Sequence, residues 1–346
     1  MEFLENVPLA PYTTFRIGGP ARWFAEAAHE TEIVEAVNFA RERDLPLFVL
    51  GGGSNLLVSD AGFAGLVLHI ALRGIKDSFE EDCLILRAGA GENWDQLVSH
   101  AVSLDCAGIE CLAGIPGTVG GTPVQNVGAY GQEVSETICA ARALDLSTHE
   151  FIDMTPGQCE FAYRQSRFNT TGKGRYIVTR VDYSLTPGGP PRLTYADVKR
   201  YFQDAAQPPS LAEVADAVRK IRREKGMYLV EGDPNSRSAG SFFKNPVVDR
   251  ARLAEIEAKL LAGTVVPQYP APEGKVKLAA AWLLDQAGFK KGYGSGRAGI
   301  SSQHTLALVN RGDATAKEIL QLSEEIVSRV EEKFGVRLVR EPVLLP

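Results

Sequence analysis

Leu47-Phe48-Val49-Leu50-Gly51-Gly52-Gly53-Ser54-Asn55-Leu56-Leu57 is the stretch that sets the fold. Four apolar residues follow Pro46 and run into three glycines. A short apolar run bounded by glycine reads as a buried strand entering a turn. Consecutive glycines let the backbone approach a ligand closely and aim N–H groups at phosphate oxygens. A simple tight turn is the competing explanation. Upstream, Thr31 is placed to cap a helix whose apolar face is Ile33, Val34, Val37 and Ala40. Downstream, Leu66 to Ile70 and Leu84 to Leu86 read as strands, and residues 93–104 read as a helix. This mixture of strands and helices points to an α+β chain.

A second glycine-rich segment lies at 114–131, with Gly114, Gly117, Gly120, Gly121, Gly128 and Gly131 and little regular periodicity. Loops of this length are uncommon and often functional. Its Ile115, Val119, Val124 and Val127 predict packing rather than a floppy surface excursion. Two glycine-rich loops can clamp the two phosphates of a dinucleotide, although a structural loop is a serious rival on these residues alone. Further on, Ile177, Thr179, Val181, Tyr183 and Leu185 alternate as a half-exposed strand does. Ser210 with Glu213, and Thr315 with Glu318, form capping boxes at the starts of two helices. Gly335 is placed to stop the second, and Val336 to Leu345 read as a terminal strand.

The 346 residues suggest more than one domain, and 45% apolar residues can supply a sizeable core. A net charge of −6 gives no general attraction to nucleic acid or to an anionic membrane. The acidic start Met1-Glu2-Phe3-Leu4-Glu5 and the lack of a long apolar run predict a cytoplasmic protein without a membrane span. Cys83, Cys106, Cys111, Cys139 and Cys159 form no C-x-x-C pair and read as reduced thiols. No metal site is expected, because the five histidines are scattered without ligand spacing. Gly294, Gly296 and Gly299 spell a G-x-G-x-x-G, but a probable strand at Thr305 to Val309 follows where a dinucleotide fingerprint needs a helix.

Several blocks, in order, carry a resemblance that no single one would. They are TFRIGG at 14–19, GGGSNLL at 51–57, IPGTVGG at 115–121, NVGAYG at 126–131, YRQSRF at 163–168, GSFFKNP at 240–246, KLAAAWLLDQAG at 277–288 and REP at 340–342. Together the chain resembles the UDP-N-acetylenolpyruvoylglucosamine reductase family over nearly its whole length. The resemblance implies an α+β fold: a two-part FAD-binding unit of the vanillyl-alcohol-oxidase type over 1–225, with a break near 70, and a third α+β substrate-binding domain over 226–330. It also implies that 331–346 is a C-terminal strand returning to the first domain.

The activity implied is NADPH-dependent reduction of the enolpyruvyl group of UDP-N-acetylglucosamine enolpyruvate, through non-covalently bound FAD, in peptidoglycan precursor synthesis. The partner implied is a UDP-sugar; no obligatory protein partner is inferred. For the cofactor, Gly51, Gly52, Gly53, Ser54 and Asn55 match the family's first phosphate loop. Gly120, Gly121, Asn126 and Gly128 match the second. For catalysis, Arg164 matches the arginine that holds the substrate carboxylate, Ser241 the serine that protonates C2, and Glu341 the terminal glutamate. Glu341 would help either as a neutral acid or by orienting a donor, since a bare carboxylate repels an enolate. Tyr163, Tyr195, Lys225, Asn245 and Gln303 are placed to meet the substrate, Tyr195 as in the branch whose tyrosine loop folds over the nucleotide. The stretch between Lys225 and Gly240 is longer than in many members. Two alternatives on the same fold are a flavin oxidase using oxygen and a non-catalytic FAD-binding module.

Overall fold

In the computed structural model, which describes residues 1–261 and 263–346, the strand Leu47–Leu50 pairs in parallel with Phe63–Ile70. These two belong to a four-stranded sheet ordered Leu4–Pro8, Pro20–Ala27, Phe63–Ile70, Leu47–Leu50. The helix Glu30–Glu42 buries Ile33, Ala36, Val37 and Ala40. Its N-cap is His29 rather than Thr31. The cause is Glu32, whose carboxylate accepts the N–H groups of Ala28 at 2.7 Å and His29 at 3.0 Å, so the first turn closes earlier.

A second sheet runs in the order Glu150–Met154, Ile138–Asp145, Tyr176–Pro187, Cys83–Gly89, Ile75–Glu80, all antiparallel. The alternation at 177–185 is realised in the long strand Tyr176–Pro187, but with both faces largely covered rather than one exposed. Two register shifts interrupt its pairing with Ile138–Asp145. Asp145, at the end of that strand, is buried and accepts from Arg175 Nη2 at 2.6 Å and from Ser147 Oγ at 2.7 Å. This ties the following turn to the start of Tyr176–Pro187. The helices Trp94–Ser103 and Leu211–Glu224 bury their apolar stripes in the same core, which includes Trp94, Leu97, Val214 and Val218.

The chain divides into two compact units. The first holds Met1–Val7, Ala21–Gly53 and Ala64–Glu224; the second holds Pro8–Pro20, Ser54–Phe63 and Lys225–Pro346. Each unit has its own core. In the second unit, the helix Ala316–Phe334 buries Ile319, Leu322, Ile326, Val330 and Phe334, and Gly335 ends it at φ 64°. The Thr315–Glu318 capping box forms at its start, and Asp60 adds a further cap by accepting the N–H groups of Ala316 and Lys317. Ala280–Gln286 packs in this core beside Phe289 and Leu278.

The terminal strand is shorter than its apolar pattern suggested. Only Val343–Leu345 is a strand, parallel to Leu56–Val58. Pro342, which has no N–H, precedes it, and before that Arg340 makes an isolated bridge to Phe243. The G-x-G-x-x-G at 294–299 leads into the strand Ala298–Ile300, which pairs antiparallel with Leu308–Asn310 and holds only the last of its glycines. There the Arg311 guanidinium crosses the face of Gly299 and donates to the carbonyls of Gly292, Tyr293, Gly294 and Ile300. A Cβ at 299 would collide with that guanidinium, so this glycine has a packing role.

Candidate active site

In the first unit the two glycine-rich segments lie backbone against backbone. A Cβ on Gly52 would fall 2.5 Å from Gly117 Cα, and one on Gly51 would fall 2.9 Å from Thr118 Oγ1. Real Cβ atoms do not approach backbone this closely, so position 52 needs glycine, whereas at 51 the neighbour is a side-chain hydroxyl. Gly53 is buried and left-handed at φ 59°. The second segment is fixed in turn by the helix start at Asn93. Asn93 Oδ1 caps Gln96, the N–H of Trp94 bonds Gly117 O, and the N–H groups of Val119 and Gly120 bond the carbonyls of Glu92 and Ala90. Gly120 is crowded against Ala90, whereas a Cβ on Gly121 would meet nothing within 4 Å, and Gly121 is exposed.

These loops fit FAD on observations of their own. Gly121 is exposed with open space where a Cβ would stand, and Thr118 Oγ1 is buried with no hydrogen-bond partner among the described residues. The segment that looked featureless in sequence contains the short turn Val119–Gly121 and the hairpin of Gly128–Ala129 with Gln132–Glu133. Tyr130 and Gly131 form the hairpin's two-residue loop, both with positive φ, as primed hairpin turns require. Thr122 is locked below by a 2.7 Å hydrogen bond to the hydroxyl of Tyr183, whose phenol burial pushes to a higher pKa.

The NVGAYG and YRQSRF blocks meet in this unit. Asn126, buried at φ 46°, donates from Nδ2 to Glu133 at 2.9 Å and to Ala162 O at 3.2 Å, and accepts from Ser135 N–H at 3.1 Å. Its side chain therefore organises the loop. Ser166 Oγ donates to Val124 O at 2.7 Å. Between them Ala162 and Gln165 exchange backbone hydrogen bonds, so Tyr163 and Arg164 occupy a two-residue turn with Arg164 at φ 55°. Arg164 Nη2 donates to Gly128 O at 2.7 Å, and its guanidinium lies 5.4 Å from the Tyr163 ring centroid. A non-glycine residue in this conformation is strained, which fits a side chain held for a purpose. Tyr195 is half-exposed at 41% and meets the buried Tyr130 edge-to-face at 5.3 Å.

In the second unit the GSFFKNP segment is laid between two neighbours. Phe242 N–H bonds Leu306 O, Lys244 N–H bonds Val339 O, and Glu341 N–H bonds Phe242 O, all at 2.8–2.9 Å. Phe242 and Phe243 are buried at 0% and 1% exposure and anchor the segment. Ser241 and Glu341 are thereby placed on adjoining backbone segments, both half-buried. Asn55 Nδ2 donates to Glu341 O at 3.3 Å, and Thr14 Oγ1 donates to Ser238 O at 2.6 Å. The GGGSN block is thus split: Gly51, Gly52 and Gly53 belong to the first unit, Ser54 and Asn55 to the second.

Asn245 Oδ1 accepts the N–H of Ala280 at 2.9 Å and so caps the helix Ala280–Gln286. Lys225 opens the second unit's long segment, and Gln303 Oε1 faces the adjoining Gly226. Two residues beside the first unit's glycine-rich segments escaped the sequence reading. Thr118 is one. Arg222 is the other: it donates from Nε to Gly114 O at 3.0 Å beside Tyr130, and burial depresses its pKa. Its signal was present, since position 222 continues the apolar stripe Val214, Val218, Ile221 of an otherwise amphipathic helix.

The comparisons with known proteins identify the family. A family model described as FAD binding domain matches residues 21–153. A model described as UDP-N-acetylenolpyruvoylglucosamine reductase, C-terminal domain, matches 233–345. A UDP-N-acetylenolpyruvoylglucosamine reductase of Streptomyces coelicolor is 46% identical over 98% of this chain and 89% of that protein. One of Thermobifida fusca is 44% identical over 99% and 98%. The crystal structure of UDP-N-acetylenolpyruvylglucosamine reductase from Thermus caldophilus aligns over 100% of this chain and 98% of that one, at TM-score 0.66 and 27% identity. The expected α+β fold with its FAD-binding part is therefore the fold of this protein, and the chain belongs to the UDP-N-acetylenolpyruvoylglucosamine reductase family.

Proposed function

We propose that this chain reduces the enolpyruvyl group of UDP-N-acetylglucosamine enolpyruvate to the lactyl ether of UDP-N-acetylmuramate. As a family member it is an oxidoreductase that uses FAD and NADPH. The observation that carries the reading is the near full-length match to named reductases. Bound FAD supplies the redox relay between NADPH and C3 of the enolpyruvyl group. Gly51, Gly52, Gly53, Gly120, Gly121 and Gly128 give that cofactor its backbone cradle, with Ser54, Asn55 and Asn126 ordering the loop ends.

Hydride arrival at C3 leaves negative charge spread from C2 onto the substrate carboxylate. Arg164 holds that carboxylate and stabilises the charge through a charge-assisted fork. Ser241 delivers the proton to C2. A serine hydroxyl is a weak acid, so it acts with a proton source behind it. Glu341 serves the same step, as a neutral acid or by orienting a donor. Tyr163, Tyr195, Lys225, Asn245 and Gln303 recognise the UDP-sugar, Asn245 while also capping its helix. The step belongs to peptidoglycan precursor synthesis in the cytoplasm. Among the described residues no helix is long and apolar enough to cross a membrane.

The direct test is NADPH consumption by purified, flavin-loaded protein with and without UDP-N-acetylglucosamine enolpyruvate. Turnover that depends on this substrate and yields UDP-N-acetylmuramate is the expected result. A slow rate indifferent to the substrate, or peroxide release without NADPH, would overturn the assignment.

A further inference from the structure

The stretch between Lys225 and Gly240 is internally ordered. Asp233 Oδ1 accepts the N–H of Asn235 at 2.9 Å, and Ser236 Oγ bonds Val230 O at 3.0 Å and Asp233 O at 2.9 Å. These bonds fix Asn235 in the middle of a short turn, Pro234–Ser236, capped by Asp233. From there its side chain reaches another part of the second unit. Asn235 Oδ1 accepts from Ser301 Oγ at 2.9 Å, Ser302 N–H at 3.0 Å and Ser302 Oγ at 3.1 Å. The backbone N–H of Ser302 can only donate, so the atom facing it is the amide oxygen.

Ser301 is fully buried and passes the contact on. Its Oγ accepts the N–H of Gln303 at 3.1 Å while donating to Asn235. Gln303 then turns its amide oxygen toward Gly226. A Cβ on Gly226 would sit 2.7 Å from Gln303 Oε1 and 3.1 Å from Asn235 Cβ. Gly226 has φ 64°, so glycine suits the position twice over. Gln303 Oε1 is buried with no hydrogen-bond partner among the described residues. A buried amide oxygen in that state is costly unless a ligand donor meets it.

We infer that Asn235 is a positioning residue for substrate recognition: through Ser301 and Ser302 it holds the 301–303 turn so that the Gln303 amide is preset beside Lys225-Gly226 for a donor of the UDP-sugar. This rests on the reading of Gln303 as a substrate-binding residue. The chemistry asked of Asn235 is only that of an acceptor for three donors. Asn235→Asp keeps that acceptor; Asn235→Leu keeps the volume and removes it.

The test compares five holoenzymes, wild type, Asn235→Leu, Asn235→Asp, Gln303→Leu and the Asn235→Leu/Gln303→Leu double variant, for KM toward the UDP-sugar, kcat, and the rate of flavin reduction by NADPH alone. Asn235→Leu should raise KM about tenfold, the worth of one or two lost hydrogen bonds, with flavin reduction unchanged. Asn235→Asp should stay within about twofold of wild type. Gln303→Leu should raise KM at least as far as Asn235→Leu, and the double variant should be no worse than Gln303→Leu alone. If Asn235→Leu does not fold, Ser301→Ala probes the middle link with the same expectation. An unchanged KM in Asn235→Leu, equal damage from the Asp variant, or equal loss of the NADPH half-reaction would overturn the inference while leaving Gln303's own role intact. An unchanged KM in Gln303→Leu would overturn both.

Discussion

The two units hold their candidate site segments by different means. In the first, the glycine loops are held by close backbone contact: Gly52 lies on Gly117, Gly51 faces Thr118, and Gly120 lies on Ala90. In the second, polar side chains reach across and take up backbone donors. Asn310 Oδ1 accepts from Gly312 and Ala314 while its Nδ2 donates to Phe15 O; Asp60 caps Ala316 and Lys317; Asn235 gathers Ser301 and Ser302. A cradle lined by glycine backbone lets a diphosphate approach closely, and at Gly52 it tolerates no added side chain. A frame pinned by side chains can present hydroxyls, amides and carboxylates at set positions, as placing and protonating an organic substrate requires. The first arrangement suits a diphosphate cofactor; the second suits reaction chemistry.

Substitutions should divide along the same line. The largest effect is expected at Gly52. Gly52→Val sets a branched side chain against Gly117, and flavin occupancy should fall by about tenfold or more, with NADPH turnover lost in proportion. Protein that stays yellow at full occupancy would break the backbone-cradle half of the comparison. Ser241→Ala comes next. Flavin reduction by NADPH should proceed at the wild-type rate, and reoxidation by the enolpyruvyl substrate should slow by about 10²–10⁴-fold. Equal slowing of both half-reactions in stopped-flow traces would remove Ser241 from the protonation step.

The smallest effect is expected at Asp145, which stiffens the first unit without touching its glycines. The Arg175 guanidinium, then the Ser147 hydrogen bonds, hold this carboxyl well below the usual carboxylate range against the opposing pull of burial. A lowered folded-state pKa stabilises the fold fully above the unfolded value of about 3.9, and that stabilisation fades as pH falls through the folded value. Asp145→Asn should therefore lower the thermal midpoint at pH 7 by about 2–4 °C, modestly because Arg175 is half-exposed. The gap should narrow below about pH 4. A gap that is constant across the acid range would show that shape rather than charge is what Asp145 contributes. Because Asp145 lies outside the proposed glycine cradle, flavin occupancy should not change.

Much of this was legible in the residues. The strand into Gly51-Gly52-Gly53, the capping boxes at Ser210 and Thr315, the stop at Gly335 and the long strand from 176 all rest on local rules, and local rules survive folding. The misjudged edges also have local causes: Glu32 pulled the first helix back to His29, and Pro342 confined the terminal strand to Val343–Leu345. The roles of Thr118 and Asn235 were not legible, and of Arg222 only its place on the buried stripe of its helix was. Each depends on a partner far away in sequence, Gly51, Ser301 and Tyr130 respectively.

By itself the sequence determined the elements, the two glycine-rich loops and, through its ordered blocks, the family. It did so because periodicity, caps and glycine runs act between near neighbours. Only the tertiary structure decided which glycine meets which backbone, that Asn126 organises its loop through Glu133, Ala162 and Ser135, and that Asn235 reaches the 301–303 turn. Those outcomes follow from chain segments brought together by burying two separate cores, and no spacing rule along the chain encodes them.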